Sequence, residues 1–134
     1  MKKVLTVGVF DLLHWGHFEL FRRAKALAEG GKLVVAVQVD AFVSKFKDVK
    51  LVYDWEQRVK MISALRYVDE VVPYTVVDEA VKAIDFTCFA VGQDQDHAGF
   101  RRAKEWCVAH GKDVVVLGRT AGVSSSRLRE GVLK

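Results

Sequence analysis

The sequence predicts a single doubly wound α/β domain with a five-stranded parallel sheet, and three observations carry that reading. Short apolar runs alternate along the chain with segments of helical periodicity. The runs are continuously apolar rather than alternating, as strands covered on both faces are. The unusual residues fall after the first, second, fourth and fifth runs. With right-handed crossovers, those positions meet at the carboxyl edge of the sheet, where such folds bind ligands.

Each element has its own signal. Val4–Val9 reads as a buried strand, followed by a helix from about His17 to Ala28 in which Leu20, Phe21, Ala24, Leu27 and Ala28 recur at helical spacing. Gly30-Gly31 ends that helix. Leu33–Val39 is the second strand, and Asp40 caps a short turn through Phe46. Lys45–Lys50 reads as a mobile basic loop. Asp54 with Gln57 forms a capping box that opens a helix to about Arg66. Glu70–Tyr74 is the third strand, and Asp78 caps a short helix through Ile84. Thr87–Val91 is the fourth strand, Gly92–His97 a polar loop, and a helix from about Gly99 to His110 stops at Gly111. Asp113–Leu117 is the fifth strand, Gly118–Val123 a loop and Ser124–Gly131 a last helix.

The bulk properties bound the function. A chain of 134 residues holds one core, so one domain over residues 1–134 is expected. Hydrophobic residues at 51% and charged residues at 28% exclude a disordered chain. The net charge of +4 comes from Lys and Arg spread without a run and fits anionic small molecules, acidic membrane surfaces or nucleic acid equally well; the expected partners are small molecules, not nucleic acid or membrane. No segment approaches the roughly 20 apolar residues of a membrane span, and the apolar run after Lys2-Lys3 is too short for a signal peptide. Cys88 and Cys107 match neither a CxxC nor a zinc spacing, and a reduced, cytoplasmic setting is the expectation.

The first motif is Gly8-Val9-Phe10-Asp11-Leu12-Leu13-His14-Trp15-Gly16-His17, at a strand-to-helix turn. His17 is expected in the first helical turn and His14 just before it. A helix N-terminus presents unpaired N–H groups and partial positive charge, which attract phosphate. Two imidazoles beside it add donors, and Gly8 and Gly16 let an anion approach the backbone. Zinc-binding His pairs more often sit at i, i+4 within a helix, so no metal ligand is assigned here.

The segment Arg119-Thr120-Ala121-Gly122-Val123-Ser124-Ser125-Ser126 has a similar logic, with Gly122 for a tight turn and hydroxyls at a helix start. Arg119 suits a phosphate or a base face. Lys45 and Lys47 follow strand two; taken alone, they are solvated surface charges.

At these residues the sequence resembles the cytidylyltransferase-like nucleotidylyltransferase superfamily, whose signature is HxGH. Gly8–His17 is very similar to the GTFDLLHWGH of bacterial glycerol-3-phosphate cytidylyltransferases. Arg66-Tyr67-Val68-Asp69-Glu70-Val71 matches that family's RYVDEV, and Arg119–Ser126 is similar to its RTEGISTT. The resemblance covers nearly the whole chain, in order. It implies a Rossmann-like fold and direct transfer of CMP from CTP, or of another NMP from its NTP, to a small phosphorylated acceptor such as glycerol 3-phosphate. It implies Mg²⁺ bound through substrate phosphates, and a homodimer with the Arg66 stretch near the interface.

Carried over residue by residue, it marks His14, His17, Arg119 and a phosphate-contacting lysine, taken as Lys45 with Lys47 the alternative, as catalytic. It marks Gly8, Val9, Phe10, Asp11, Gly16, Gly92, Asp94, Arg119, Thr120, Ser124 and Ser125 as nucleotide-binding. Arg58 lies near a family Arg without aligning cleanly, and Arg66 suits either a dimer contact or a phosphate.

The departures bear on substrate. Gln93 and Gln95 replace an Asp and a Trp, Val9 replaces a Thr, and Asp96–Arg102 has lost the family pattern. An adenylyltransferase acting on a sugar phosphate or on flavin mononucleotide is therefore the main alternative, and a non-catalytic nucleotide sensor is another. A receiver domain is excluded, since Pro73-Tyr74 and Arg119 stand where it needs Asp and Lys. A class I tRNA synthetase fragment lacks both its room and its KMSKS-like loop.

Overall fold

The computed structural model describes residues 1–46 and 50–118, the side chains of 44–46 excepted. The order of elements is β1 (Lys3–Gly8), α1 (Trp15–Leu27), β2 (Lys32–Gln38), α2 (Asp40–Phe46), α3 (Trp55–Ser63), β3 (Glu70–Tyr74), α4 (Val77–Ala83), β4 (Cys88–Gly92), α5 (Ala98–Ala109) and β5 (Asp113–Leu117). All strand pairs are parallel, in the order β3-β2-β1-β4-β5. The doubly wound α/β expectation therefore holds, and the winding reverses between β1 and β4.

Strand alternation divides the core in two. Leu5, Val7, Val34, Ala36, Phe89 and Val91 face α4 and α5, which supply Val77, Ala80, Val81, Phe100, Ala103 and Cys107. Val4, Leu33, Val35, Val37, Cys88 and Ala90 face the layer of α1 and α3, with Phe21, Ala24 and Ile62. The central strands are buried along almost their whole length, whereas the edge strands β3 and β5 are half-exposed, a gradation their apolar sequences do not disclose. Cys88 and Cys107 are buried thiols without a disulfide.

Several boundaries differ from the sequence reading. α1 starts at Trp15 because His14 caps it. Asp78 is not a cap: α4 starts at Val77 after an uncapped Val76, and the Asp78 carboxylate accepts from Arg102 Nε at 2.6 Å. α3 ends at Ser63, short of Arg66, with Ala64 as C-cap. Lys45 belongs to α2 rather than to a loop. The Asp54–Gln57 capping box forms as read. At the end of α1, Gly31 is required by close approach, since a Cβ there would lie 1.8 Å from the Lys2 carbonyl oxygen. The expected loop after Gly118 and the helix Ser124–Gly131 lie outside the described residues. Among those described, no helix is long and apolar enough to cross a membrane.

One core residue works against the fold. Thr6, in the centre of β1, is fully buried, and its Oγ1 has no hydrogen-bond partner among the described residues. Valine has nearly the same shape without the hydroxyl. Thr6→Val is expected to raise the unfolding free energy by about 1 kcal/mol, because an unsatisfied buried hydroxyl carries its full desolvation penalty. Urea denaturation checks this; an unchanged or lower midpoint would mean that the hydroxyl has a partner after all.

Candidate active site

The site begins where β1 ends. Phe10 has φ 53°, in the left-handed region, which costs a non-glycine residue about 1–2 kcal/mol. This turn folds the Phe10 ring back under the loop, 6% exposed, edge-on to His17 at 5.4 Å and to Phe21 at 5.1 Å. The ring covers Gly8, where a Cβ would lie 2.7 Å from Phe10 Cζ. Strain held in place by packing is common at functional turns.

Asp11 is 3% exposed, and its carboxylate accepts from the N–H groups of Val52 and Tyr53, at 2.8 Å each. It ties the turn after β1 to the segment entering α3. Gly8 accommodates the Phe10 ring, Phe10 buries that ring in the core, and the Asp11 carboxylate holds backbone N–H groups of the segment entering α3, so the Phe10 and Asp11 side chains shape the turn.

The two histidines meet at the start of α1. Their rings stack at 3.9 Å and 22°. Gly16 N–H donates to His14 Nδ1 at 3.0 Å, and His14 N–H donates to His17 Nδ1 at 3.3 Å. The pair forms a reciprocal capping box built from imidazoles. A nitrogen that accepts a backbone N–H carries no proton, so a neutral His14 ring has its proton on Nε2, while the His17 ring also bonds to the Leu12 carbonyl. Burial, then the neighbouring His14, lowers the His17 pKa to about 3, against the opposing pull of the Leu12 carbonyl. The His17 ring is therefore neutral near neutral pH and acts as a hydrogen-bond donor, not as a charge. Beside the pair lies an open cleft of about 230 Å³ lined by Leu13, His14, Trp15, His17, Phe18 and Leu65. Trp15 is 59% exposed and stacks on Phe18 at 5.0 Å.

Sequence reasoning left Arg58 without a role, and the structure supplies one. Arg58 is fully buried. Its Nε donates to the Tyr53 carbonyl at 3.2 Å, its Nη1 to the carbonyls of Val9 at 2.9 Å and Gln38 at 2.8 Å, and its Nη2 to Asp40. One guanidinium thus joins the ends of β1 and β2, the start of α2 and the loop held by Asp11. The available signal was register: Arg58 follows Trp55 by three and precedes Ile62 by four, which puts a charge on the apolar face of α3.

On the other side of β1, the turn after β4 carries Gly92 and Asp94, and Asp94 is exposed. Gln95, not among the expected site residues, holds this turn to β1. Val9 lies in the turn before the histidine pair, and Gly16 lies between the two histidines in the first turn of α1. Lys45 sits on α2, at the end of β2, with its side chain not described. Arg119, Thr120, Ser124 and Ser125 lie outside the described residues, as does Lys47. Arg23 on α1 donates to the Gly118 carbonyl at 2.8 Å, which fixes where the chain leaves β5. The structure therefore unites Gly8–His17 and Gly92–Gln95 at the carboxyl edge where the winding reverses.

The chain is similar to known proteins in sequence and in fold. The cytidylyltransferase-like family pattern matches residues 5–131. The glycerol-3-phosphate cytidylyltransferase of Staphylococcus aureus is 38% identical over 133 residues, 97% of this chain and 94% of that one. The FAD synthase of Thermococcus kodakarensis is 39% identical over 118 residues, 86% of this chain and 77% of its own length. In structure, the lipopolysaccharide core biosynthesis protein of Thermoplasma volcanium superposes with a TM-score of 0.73 at 24% identity, over 90% of this chain and 97% of that one, which supports the fold.

Proposed function

The chain belongs to the cytidylyltransferase-like family of nucleotidylyltransferases, and from that premise we propose that it transfers CMP from CTP to glycerol 3-phosphate, giving CDP-glycerol and pyrophosphate. The observation that carries the proposal is the stacked His14–His17 pair at the start of α1, with both Nδ1 atoms held by backbone N–H groups.

An oxygen of the acceptor phosphate attacks the α-phosphorus. The bond from that phosphorus to the β-bridging oxygen breaks, and pyrophosphate leaves with the electron pair. No covalent enzyme intermediate is required, so the protein's contribution is alignment and stabilisation of charge. The Nε2–H of His14 donates to the phosphate oxygens on which charge grows, and the His17 ring, which bonds to the Leu12 carbonyl, turns its N–H to the phosphate when substrate binds. The N-terminus of α1 adds its partial positive charge. Lys45, Arg119, Thr120, Ser124 and Ser125 complete the phosphate and nucleotide contacts in this reading, with Gly92 and Asp94 on the nucleoside side.

Mg²⁺ is part of the proposal. The ion would be bound through the triphosphate oxygens and would supply neutralisation of the charge that crowds there.

A second reading has its own support. An FAD synthase is 39% identical over 118 residues, beside 38% over 133 residues for a glycerol-3-phosphate cytidylyltransferase, and the apolar residues Leu13, Trp15, Phe18 and Leu65 line the cleft beside the histidines. AMP transfer from ATP to flavin mononucleotide is therefore the alternative. The test is pyrophosphate release with Mg²⁺, with CTP and ATP offered against glycerol 3-phosphate, sugar phosphates, phosphocholine, ethanolamine phosphate and flavin mononucleotide. Release with CTP and glycerol 3-phosphate alone is the expected result. Release with ATP and flavin mononucleotide would keep the reaction and replace the substrates. Release with no pair would overturn the proposal.

A further inference from the structure

β1 and β4 are neighbours in the sheet but pair only at Val4↔Cys88 and Leu5↔Phe89. The companion pair, β1 with β2, stays in register from Lys3↔Lys32 to Gly8↔Val37. Toward their carboxyl ends β1 and β4 therefore part, at the point where the strand order reverses. In doubly wound sheets that parting is the crevice in which ligands sit.

One side chain spans it. Gln95 Nε2 donates to the Val7 carbonyl at 2.8 Å, and Gln95 Oε1 accepts from Gly92 N–H at 3.0 Å. Gln95 N–H also donates to the Gly92 carbonyl at 3.0 Å, closing a tight turn. A carboxamide has a donor and an acceptor side by side, as a peptide group has. Gln95 thus acts as an extra rung of the ladder, placed where the two strands no longer reach each other. Val7 is one residue before Gly8, so this rung fixes the Gly92–Gln95 turn relative to the loop that leads from β1 to His14 and His17.

We propose that Gln95 is a positioning residue for the nucleoside half of the triphosphate: by bridging Val7 and Gly92 across the parted strands, it sets the floor of the crevice on which base and ribose rest. The inference rests on the nucleotidyl-transfer reading above. The phosphates belong to the N-terminus of α1 and the histidine pair on one side of β1. The part of the same molecule directed toward β4 meets the turn that Gln95 holds. Gln95 touches neither phosphate nor acceptor in this arrangement, so it acts on affinity for the nucleoside and not on the chemical step.

The test compares the wild-type chain with Gln95→Met, which keeps length and loses both hydrogen bonds, and Gln95→Glu, which keeps the acceptor and sets a carboxylate oxygen against the Val7 carbonyl. CTP, ATP and inorganic pyrophosphate are titrated against each in the presence of Mg²⁺, and folding is followed by circular dichroism. The expected result is a loss of roughly 10-fold in affinity for the preferred triphosphate in both variants, with pyrophosphate affinity unchanged, as removal of about two hydrogen bonds' net contribution predicts. Unchanged triphosphate affinity would overturn the inference and leave the reaction class standing. Equal weakening of triphosphate and pyrophosphate would also overturn it, since that marks general loosening of the site. A wild-type chain that binds no nucleoside triphosphate would remove the function and this inference together.

Discussion

Alanine at His14 or at His17 is expected to lower kcat by roughly 10²- to 10³-fold, the range for removing one donor from a developing oxyanion. The effect is large because the two rings are preorganised. Each Nδ1 is fixed by a backbone N–H, and the rings stack face to face. Once substrate is bound, no reorientation is needed when charge develops on the phosphate. The titration of His17, near pH 3, lies far below neutrality, so His17 does not gate turnover between pH 6 and 8. The measurement is single-turnover pyrophosphate release, with circular dichroism to confirm the fold.

Loss of a helix cap alone costs about 1 kcal/mol of stability and no specific step in the reaction. His14→Asn separates the two roles, because Asn is a good N-cap but cannot place a donor where the imidazole Nε2–H stands. If His14→Asn restored turnover, the ring would be a cap and the proposed chemistry would lose its main support. If both alanine variants turned over normally, the site itself would be misplaced.

Much of this was legible in the sequence because the signals were local. Continuous apolar runs such as Leu33–Val37 permit only a strand covered on both sides, and the strand-to-helix position of His14 and His17 follows from the run before and the periodicity after. What was not legible depends on contacts distant in sequence. The Phe10 side chain could not be assigned to the core without knowing that its φ is positive and that Phe21 and His17 stand beneath the turn. The resemblance marks Asp11 as nucleotide-binding, and nothing local shows that its carboxylate also holds the backbone of a distant segment. Its partners at 52 and 53 are some forty residues away. Asp78 looked like a cap because caps are scored on local sequence, yet Arg102 on a neighbouring helix claims it. Gln95 read only as a departure from a family pattern, and its meaning appears when β1 and β4 are seen to part.

Arg58 is the clearest case of a long-range role, and its removal is expected to give the largest stability loss of any single substitution among the described residues. Truncation to alanine leaves the carbonyls of Val9, Gln38 and Tyr53 without their donor, leaves Asp40 without its counter-charge and opens a cavity at a fully buried position. Breaking a buried charged network from one side costs about 3–5 kcal/mol, and a chain of this length then melts more than about 10 °C lower. Arg58→Lys keeps the charge, but an ammonium is a point donor and cannot reach acceptors on three sides as the planar guanidinium does. It is expected to recover less than half of the loss. The partner behaves differently: the Asp40 side chain is 46% exposed, so water replaces part of what it gives up, and Asp40→Ala is expected to cost only about 1–2 kcal/mol. Urea denaturation of the three variants checks the ordering. A lysine variant as stable as wild type would show that Arg58 supplies charge alone. Equal losses at Arg58 and Asp40 would show that the ion pair, and not the three carbonyls, carries the energy. The expected ordering means that this side chain binds the ends of β1 and β2 together beneath the loop of His14 and His17, so the stability of the sheet edge and the geometry of the phosphate site depend on the same residue.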